Sequence, residues 1–158
     1  MCGVRDIVVK FIYFVFSQSN EYYLIDWMSS AVTGEKCQYS GTISNASKFV
    51  LTGLVNAENP DENLVLIKCS YIDDIMSLVK CFLLDQCDEM NKRTLAAYVN
   101  EFYISRVIQW WDNYLVQHYS RIADIFKKLE DFREDIKPDD LYKFLHSAKE
   151  YLFENVFK

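Results

Sequence analysis

The sequence predicts an α+β fold: a small N-terminal three-stranded sheet covered by a helical array, with extra helices at the C-terminal end. Three observations predict it. Residues 7–16, 21–26 and 64–68 are short runs of strand-favouring Val, Ile, Phe and Tyr. From Ile72 onward apolar residues recur at helical spacing almost without a break. A chain of 158 residues with four glycines and two prolines is neither disordered nor low in complexity, and its length suffices to bury roughly 70% of the unfolded surface around one core.

Residues 7–16 (IVVKFIYFVF) read as a strand, and their near-continuous apolar character suggests burial on both faces. Lys10 interrupts the run and no small-residue cleavage site follows it. It is also well short of the roughly 20 residues a bilayer span needs, so neither a signal peptide nor a membrane segment is expected. Residues 17–20 are a polar turn and residues 21–26 (EYYLID) a second strand, which together make a hairpin. Residues 27–32 fit one helical turn, and residues 33–42, with two of the four glycines, fit a loop or irregular strand. Ser44 or Asn45 can then cap a short helix that buries Ala46, Phe49, Val50 and Leu54. The acidic loop at residues 56–63 (NAENPDEN) precedes a third strand at residues 64–68 (LVLIK).

Ser70 and Asp73 have the spacing of a capping box, and the helix they open buries Ile72, Ile75, Met76, Val79, Phe82 and Leu83. Residues 94–122 hold two stripes, Leu95, Ala96, Val99 and Phe102, then Ile108, Trp111, Leu115, His118 and Ile122 behind Ser105 as N-cap. They predict a tight helical hairpin with Trp111 in the core and Trp110, one position round the helix, more tolerant of change, and with at least one flank against other elements to hide so much aromatic surface. Ile125, Phe126, Leu129 and Phe132 continue a helical stripe. Pro138 suits the first turn of a last helix whose dipole Asp139 and Asp140 complement, with Leu141, Phe144, Leu145, Ala148 and Leu152 on its apolar face.

A net charge of −6 argues against general nucleic-acid binding, which rests on clustered Lys and Arg. Five cysteines without a C-x-x-C pair predict reduced thiols in the cytoplasm or nucleus rather than a disulfide framework. Cys69, Cys81, Cys87 and His118 lack the short paired spacing of structural metal ligands, so no metal is expected. No glycine-rich phosphate loop is present, and neither His118 nor His146 has a recognisable nucleophile beside it. The chain therefore reads as non-enzymatic and free of cofactors.

The order of elements, with residues 16–26 (FSQSNEYYLID), the short helix and acidic loop of residues 47–62, the strand and helix of residues 64–84, and the hairpin of residues 95–119 with Asn100 before its turn, resembles the BTB/POZ superfamily. Within it the likeness is to the F-box-binding S-phase-kinase-associated (SKP-type) adaptors and elongin C. Residues 136–145 (IKPDDLYKFL) resemble the helix start that precedes the F-box-binding region of those adaptors. The resemblance implies a BTB/POZ-like domain over residues 1–122, a C-terminal helical extension over residues 123–158, and an adaptor role in a ubiquitin-ligase or related assembly. Its implied partners are an F-box-like or other helical segment and a cullin-type scaffold, with a homodimer also admitted and no nucleic acid or membrane involved. Partner contact is expected at Asn100 and Glu101 on the hairpin edge and at Leu141, Tyr142, Phe144, Leu145, Tyr151 and Phe153 on the last helix. Glu101 stands where the adaptors carry an aromatic residue, which predicts weak or absent cullin binding, restored in part by Glu101→Tyr. Fold alone does not give function, and the alternative is an all-helical bundle, of viral or host origin, that inhibits a signalling protein by binding its amphipathic helix.

Overall fold

The computed structural model describes residues 7–8, 13–16, 22–25, 31–32, 35–39, 41–56, 66–68, 70–131, 133 and 138–155. Six short strands occur among them: β1 (Ile7–Val8), β2 (Tyr13–Phe16), β3 (Tyr22–Ile25), β4 (Ala31–Val32), β5 (Lys36–Gln38) and β6 (Leu66–Lys68). Six helices dominate: α1 (Lys48–Val55), α2 (Tyr71–Asp85), α3 (Glu89–Asn100), α4 (Ile104–His118), α5 (Ser120–Asp131) and α6 (Pro138–Asn155).

The described residues are mostly helical and contain no three-stranded sheet. This overturns the expected BTB/POZ-like α+β sheet. The strands instead form three separate antiparallel ladders, β1 with β4, β2 with β3, and β5 with β6. Two things differ from the reading of the sequence. The apolar run of residues 7–16 divides between β1 and β2, which pair with different strands. The third expected strand, now β6, pairs with β5 through Cys37 opposite Ile67 rather than joining the hairpin. An apolar run favours a strand locally, but the choice of neighbour is made by contacts remote in sequence. The β2–β3 hairpin itself forms, with Phe14 opposite Leu24 and Val15 opposite Tyr23.

The chain forms two compact units, Met1–Leu83 and Leu84–Lys158. The sequence boundary after Ile122 falls inside α5. The turn expected at residues 17–20 lies outside the described residues, as does most of the acidic loop. Of the helical turn expected at residues 27–32, the described part is strand β4.

In the first unit, α1 starts three residues later than Ser44 would place it, because residues 43–45 form a 3-10 turn and Ser47 is the N-cap. The delay moves Leu51 into the core beside Ala46 and Val50 and leaves Phe49 exposed. The α2 stripe is as the spacing predicts for Ile72, Met76, Val79 and Leu83, all buried, whereas Phe82 is exposed. A polar tie joins the two helices. The Ser47 hydroxyl, 0% exposed, accepts the Val50 amide at 3.2 Å and donates to Asp73 Oδ1 at 2.5 Å. Lys80, 2% exposed, donates from Nζ to the Ala46 carbonyl at 2.7 Å. Asp73 is thus drawn to α1, while Ser70 Oγ accepts from the Ile72 amide at 3.3 Å. Nearby, burial first and then the Asp73 and Asp74 charges push the Tyr39 phenol well above its ordinary pKa. It stays protonated and donates to the Thr42 carbonyl at 3.2 Å. Cys37 is disulfide-bonded, which corrects the expectation that all the thiols are reduced.

Every described element of the second unit is a helix. Its core takes Leu95 from α3, Val107, Trp110, Trp111, Tyr114 and Leu115 from α4, and Ile122, Ile125, Phe126 and Leu129 from α5. The buried face of α4 is turned from the predicted one, so that Trp110 and Tyr114 are buried and His118 is exposed. Tyr119 (φ −143°, ψ 52°) interrupts the helix before Ser120 starts α5, and α6 begins at Pro138 as expected. Among the described residues no helix is long and apolar enough to cross a membrane, and no cluster of three or more His, Cys, Asp or Glu side chains could hold a metal ion.

At the start of α3, Asp88 is an N-cap that accepts the Asn91 amide at 2.9 Å and its side-chain Nδ2 at 2.7 Å. The bond from the Asn91 backbone, then that from its side chain, hold the Asp88 carboxyl below its ordinary pKa. A depressed pKa means that the cap's contribution is complete above the unfolded value of about 3.9 and is lost as pH falls through the folded value. Hydrogen exchange at the Asn91 amide is therefore expected to lose protection on acidification through that range, and Asp88→Asn to remove the pH dependence. An unchanged profile in the variant would exclude Asp88 as the titrating group.

Candidate functional site

The α3–α4 hairpin turns in three residues, and the way it turns is unusual. Asn100 ends α3 and Glu101 is its C-cap, donating its amide to the Ala97 and Val99 carbonyls. Phe102 follows at φ 54°, in the left-handed region. Its amide donates to the Val99 carbonyl at 3.1 Å, and the Tyr103 amide reaches back to the Tyr98 carbonyl at 2.9 Å. These are the two bonds of a Schellman motif, whose left-handed position is usually glycine because a Cβ is disfavoured there. Here it is a phenylalanine, and its side chain is 74% exposed. Tyr103 beside it is exposed too, and it caps α4 without a side-chain hydrogen bond. An aromatic pair is thus held out on a backbone that carries strain of about 1 kcal/mol or more.

The other expected contact residues are placed as follows. Asn100 and Glu101 are exposed at the hairpin end. Tyr142 on α6 is 71% exposed, with its ring parallel to His146 at 6.2 Å between centroids. His146 pairs with Glu150 at 3.2 Å. Tyr151 is half-buried, with the Arg121 guanidinium of α5 5.8 Å from its ring centroid, a cation–π contact that ties α6 to α5. Leu141, Phe144, Leu145 and Phe153 lie on α6, but their side chains fall outside the described residues. Among the described residues no hydrogen bond, ion pair or ring contact joins Asn100 or Glu101 to α6. The two expected contact regions are therefore not shown to be one site.

A groove of about 300 Å³ runs along the hairpin between α3 and α4. Its floor is aromatic: Trp110 stacks on Tyr114 with centroids 4.8 Å apart and planes 9° apart. Its rim is polar, with Arg106, Gln109, Asn113 and Gln117 along α4. Tyr98 and Asn91 complete the lining from α3. Burial, followed by a hydrogen bond with Cys87, pushes the Tyr114 phenol well above its ordinary pKa, so the floor is neutral. Arg106 donates from Nη1 to Gln109 Oε1 at 3.3 Å.

The sequence stripe places Phe102 on the apolar face of the first helix, whereas it lies past the helix end, left-handed and exposed, and the groove is not evident from the stripes. The readable signal was the short link between two helices without a glycine, which obliges a residue with a Cβ to take the left-handed turn. Comparison with protein-family models, with curated proteins and with solved structures finds no match.

Proposed function

We propose that the protein is a non-enzymatic protein–protein interaction module and that its partner contact is centred on the α3–α4 turn. The observation that supports this most is Phe102, a strained and exposed aromatic where glycine would relieve the backbone. Strain of this kind persists where a side chain is needed, and exposed aromatics anchor interfaces. The local resemblance to the F-box-binding adaptors supports the same place, because their cullin-facing edge follows the hairpin asparagine. Phe102 supplies, one position later, the aromatic that Glu101 displaces. The helical second unit supports the alternative in which the partner offers an amphipathic helix, and in both readings the occupant is a helical protein segment. The expected cytoplasmic or nuclear setting rests on composition, and the Cys37 disulfide counts against it, since disulfides are rare in reducing compartments.

The test uses the full chain with a photo-crosslinking amino acid at position 103, and at exposed Lys127 as control, in native extract. A discrete adduct at 103 that wild-type protein competes away and the Phe102→Gly variant does not supports the turn. Equal competition by the variant, or the same adducts at both positions, overturns it. The variant itself is expected to be more stable than wild type by about 1 kcal/mol in urea denaturation, since glycine removes the left-handed penalty. A loss of stability would mean that Phe102 packs on the fold.

A further inference from the structure

We infer that the groove between α3 and α4 is a binding site for an extended peptide segment carrying an acidic side chain, which lies against Arg106. The inference rests on the reading of the protein as an interaction module but not on the turn, since neither Phe102 nor Tyr103 lines the groove.

The first argument is spacing. Gln109, Asn113 and Gln117 recur every four residues along α4, a rise of about 6 Å per step. An extended chain repeats every second residue, at about 6.6–6.8 Å. Three side-chain amides can therefore follow one edge of a strand of about five residues with a total mismatch near 1.5 Å, which side-chain rotation absorbs. Each amide carries both donors and an acceptor, the combination that pairs with the N–H and C=O of a single extended residue. Among the described residues the side chains of Asn113 and Gln117 make no hydrogen bond, and that of Gln109 uses only its oxygen, so its amino group remains to donate.

The second argument is charge. Among the described residues Arg106 is the one charged residue lining the groove, within a chain of net charge −6. Its guanidinium is bonded to Gln109, the first amide of the row. The positive end of the α4 dipole lies at the same end, with no acidic residue in the first turn to neutralise it. A carboxylate is the complement. The third argument is the floor. Trp110 and Tyr114 are buried beneath an exposed polar rim, the arrangement of a site that takes apolar side chains between oriented polar groups. The bound segment thus presents its acidic residue at Arg106 and alternate apolar residues to the Trp110–Tyr114 stack.

The probe is a fluorescein-labelled positional library of hexapeptides with both ends blocked, read by fluorescence polarisation on the full chain. Selection of Asp or Glu at a single position is expected, with apolar residues at alternate positions. Binding of the best peptide should weaken about tenfold or more in Arg106→Gln and in Asn113→Ala, both exposed positions, with circular dichroism confirming the fold of each variant. N-methylation of alternate peptide amides should weaken binding in one register only. Phe102→Gly should leave the affinity unchanged, so the site stands or falls apart from the turn. Failure to select an acidic residue, or unchanged affinity in Arg106→Gln, overturns the proposal.

Discussion

Trp111→Ala is expected to lower the free energy of unfolding by about 3–5 kcal/mol, the cost of removing a large aromatic from a packed core. Trp111 is 2% exposed and meets Trp110 and Tyr114 edge to face, with centroids 5.0 and 6.1 Å away. Its loss therefore removes the support of two further rings as well as its own buried area. Such a loss is comparable to the whole stability of a marginal domain. Trp110, 9% exposed and one position round the helix, has one side on the groove, so Trp110→Ala should cost less. Urea titration of both variants checks the order through the midpoint at constant slope. If Trp110→Ala is the more damaging, the floor of the groove and not the α4 core face holds the second unit together.

The second large effect is expected at Ser47. Ser47→Ala removes the N-cap of α1, worth about 0.5–2 kcal/mol, and a hydrogen bond to a carboxylate, worth about 1.5–3 kcal/mol. Since Ser47 and Asp73 are both buried, no water replaces the lost donor, and a total near 3 kcal/mol is expected. Asp73→Asn should be strongly non-additive with it, because the pair shares one bond. Additive losses in a double-mutant cycle would show that the Ser47 effect lies in the cap alone.

What could be read from the sequence was what depends on near neighbours. The i, i+4, i+7, i+11 stripe of Ile72, Met76, Val79 and Leu83 is one such case, because helical spacing alone puts these four on one face. Pro138 likewise marked the start of α6, where its fixed φ is already helical. The β2–β3 hairpin followed from two strand-like runs a few residues apart. What could not be read depends on distant partners or on a single backbone angle. Nothing in residues 64–68 says that they pair with residues 36–38, and nothing in residues 7–16 marks the division between β1 and β2. The sequence marks Trp110 as the more tolerant of the two tryptophans because it lies one position round the helix from the Trp111 stripe, and both indoles are buried here. Of the expected contacts, Asn100, Glu101 and Tyr142 are exposed, and Tyr151 is half-buried and engaged with Arg121. The left-handed Phe102 had no glycine to announce it.

The β5–β6 ladder sets the order in which the molecule can assemble. Cys37 and Ile67 are 30 residues apart, with α1 between them, and the entropy lost on closing that loop must be spent before any of its strand bonds form. The α3–α4 hairpin closes through a three-residue turn and draws on contacts between neighbours in sequence, which form on the microsecond scale of helices rather than the slower scale of remote strand pairing. On release from denaturant the C-terminal unit is therefore expected to gain its structure first, which pulse-labelled hydrogen exchange checks, although ribosomal synthesis completes it last. The nascent N-terminal unit has no ladder between β5 and β6 until residue 68 has left the exit tunnel.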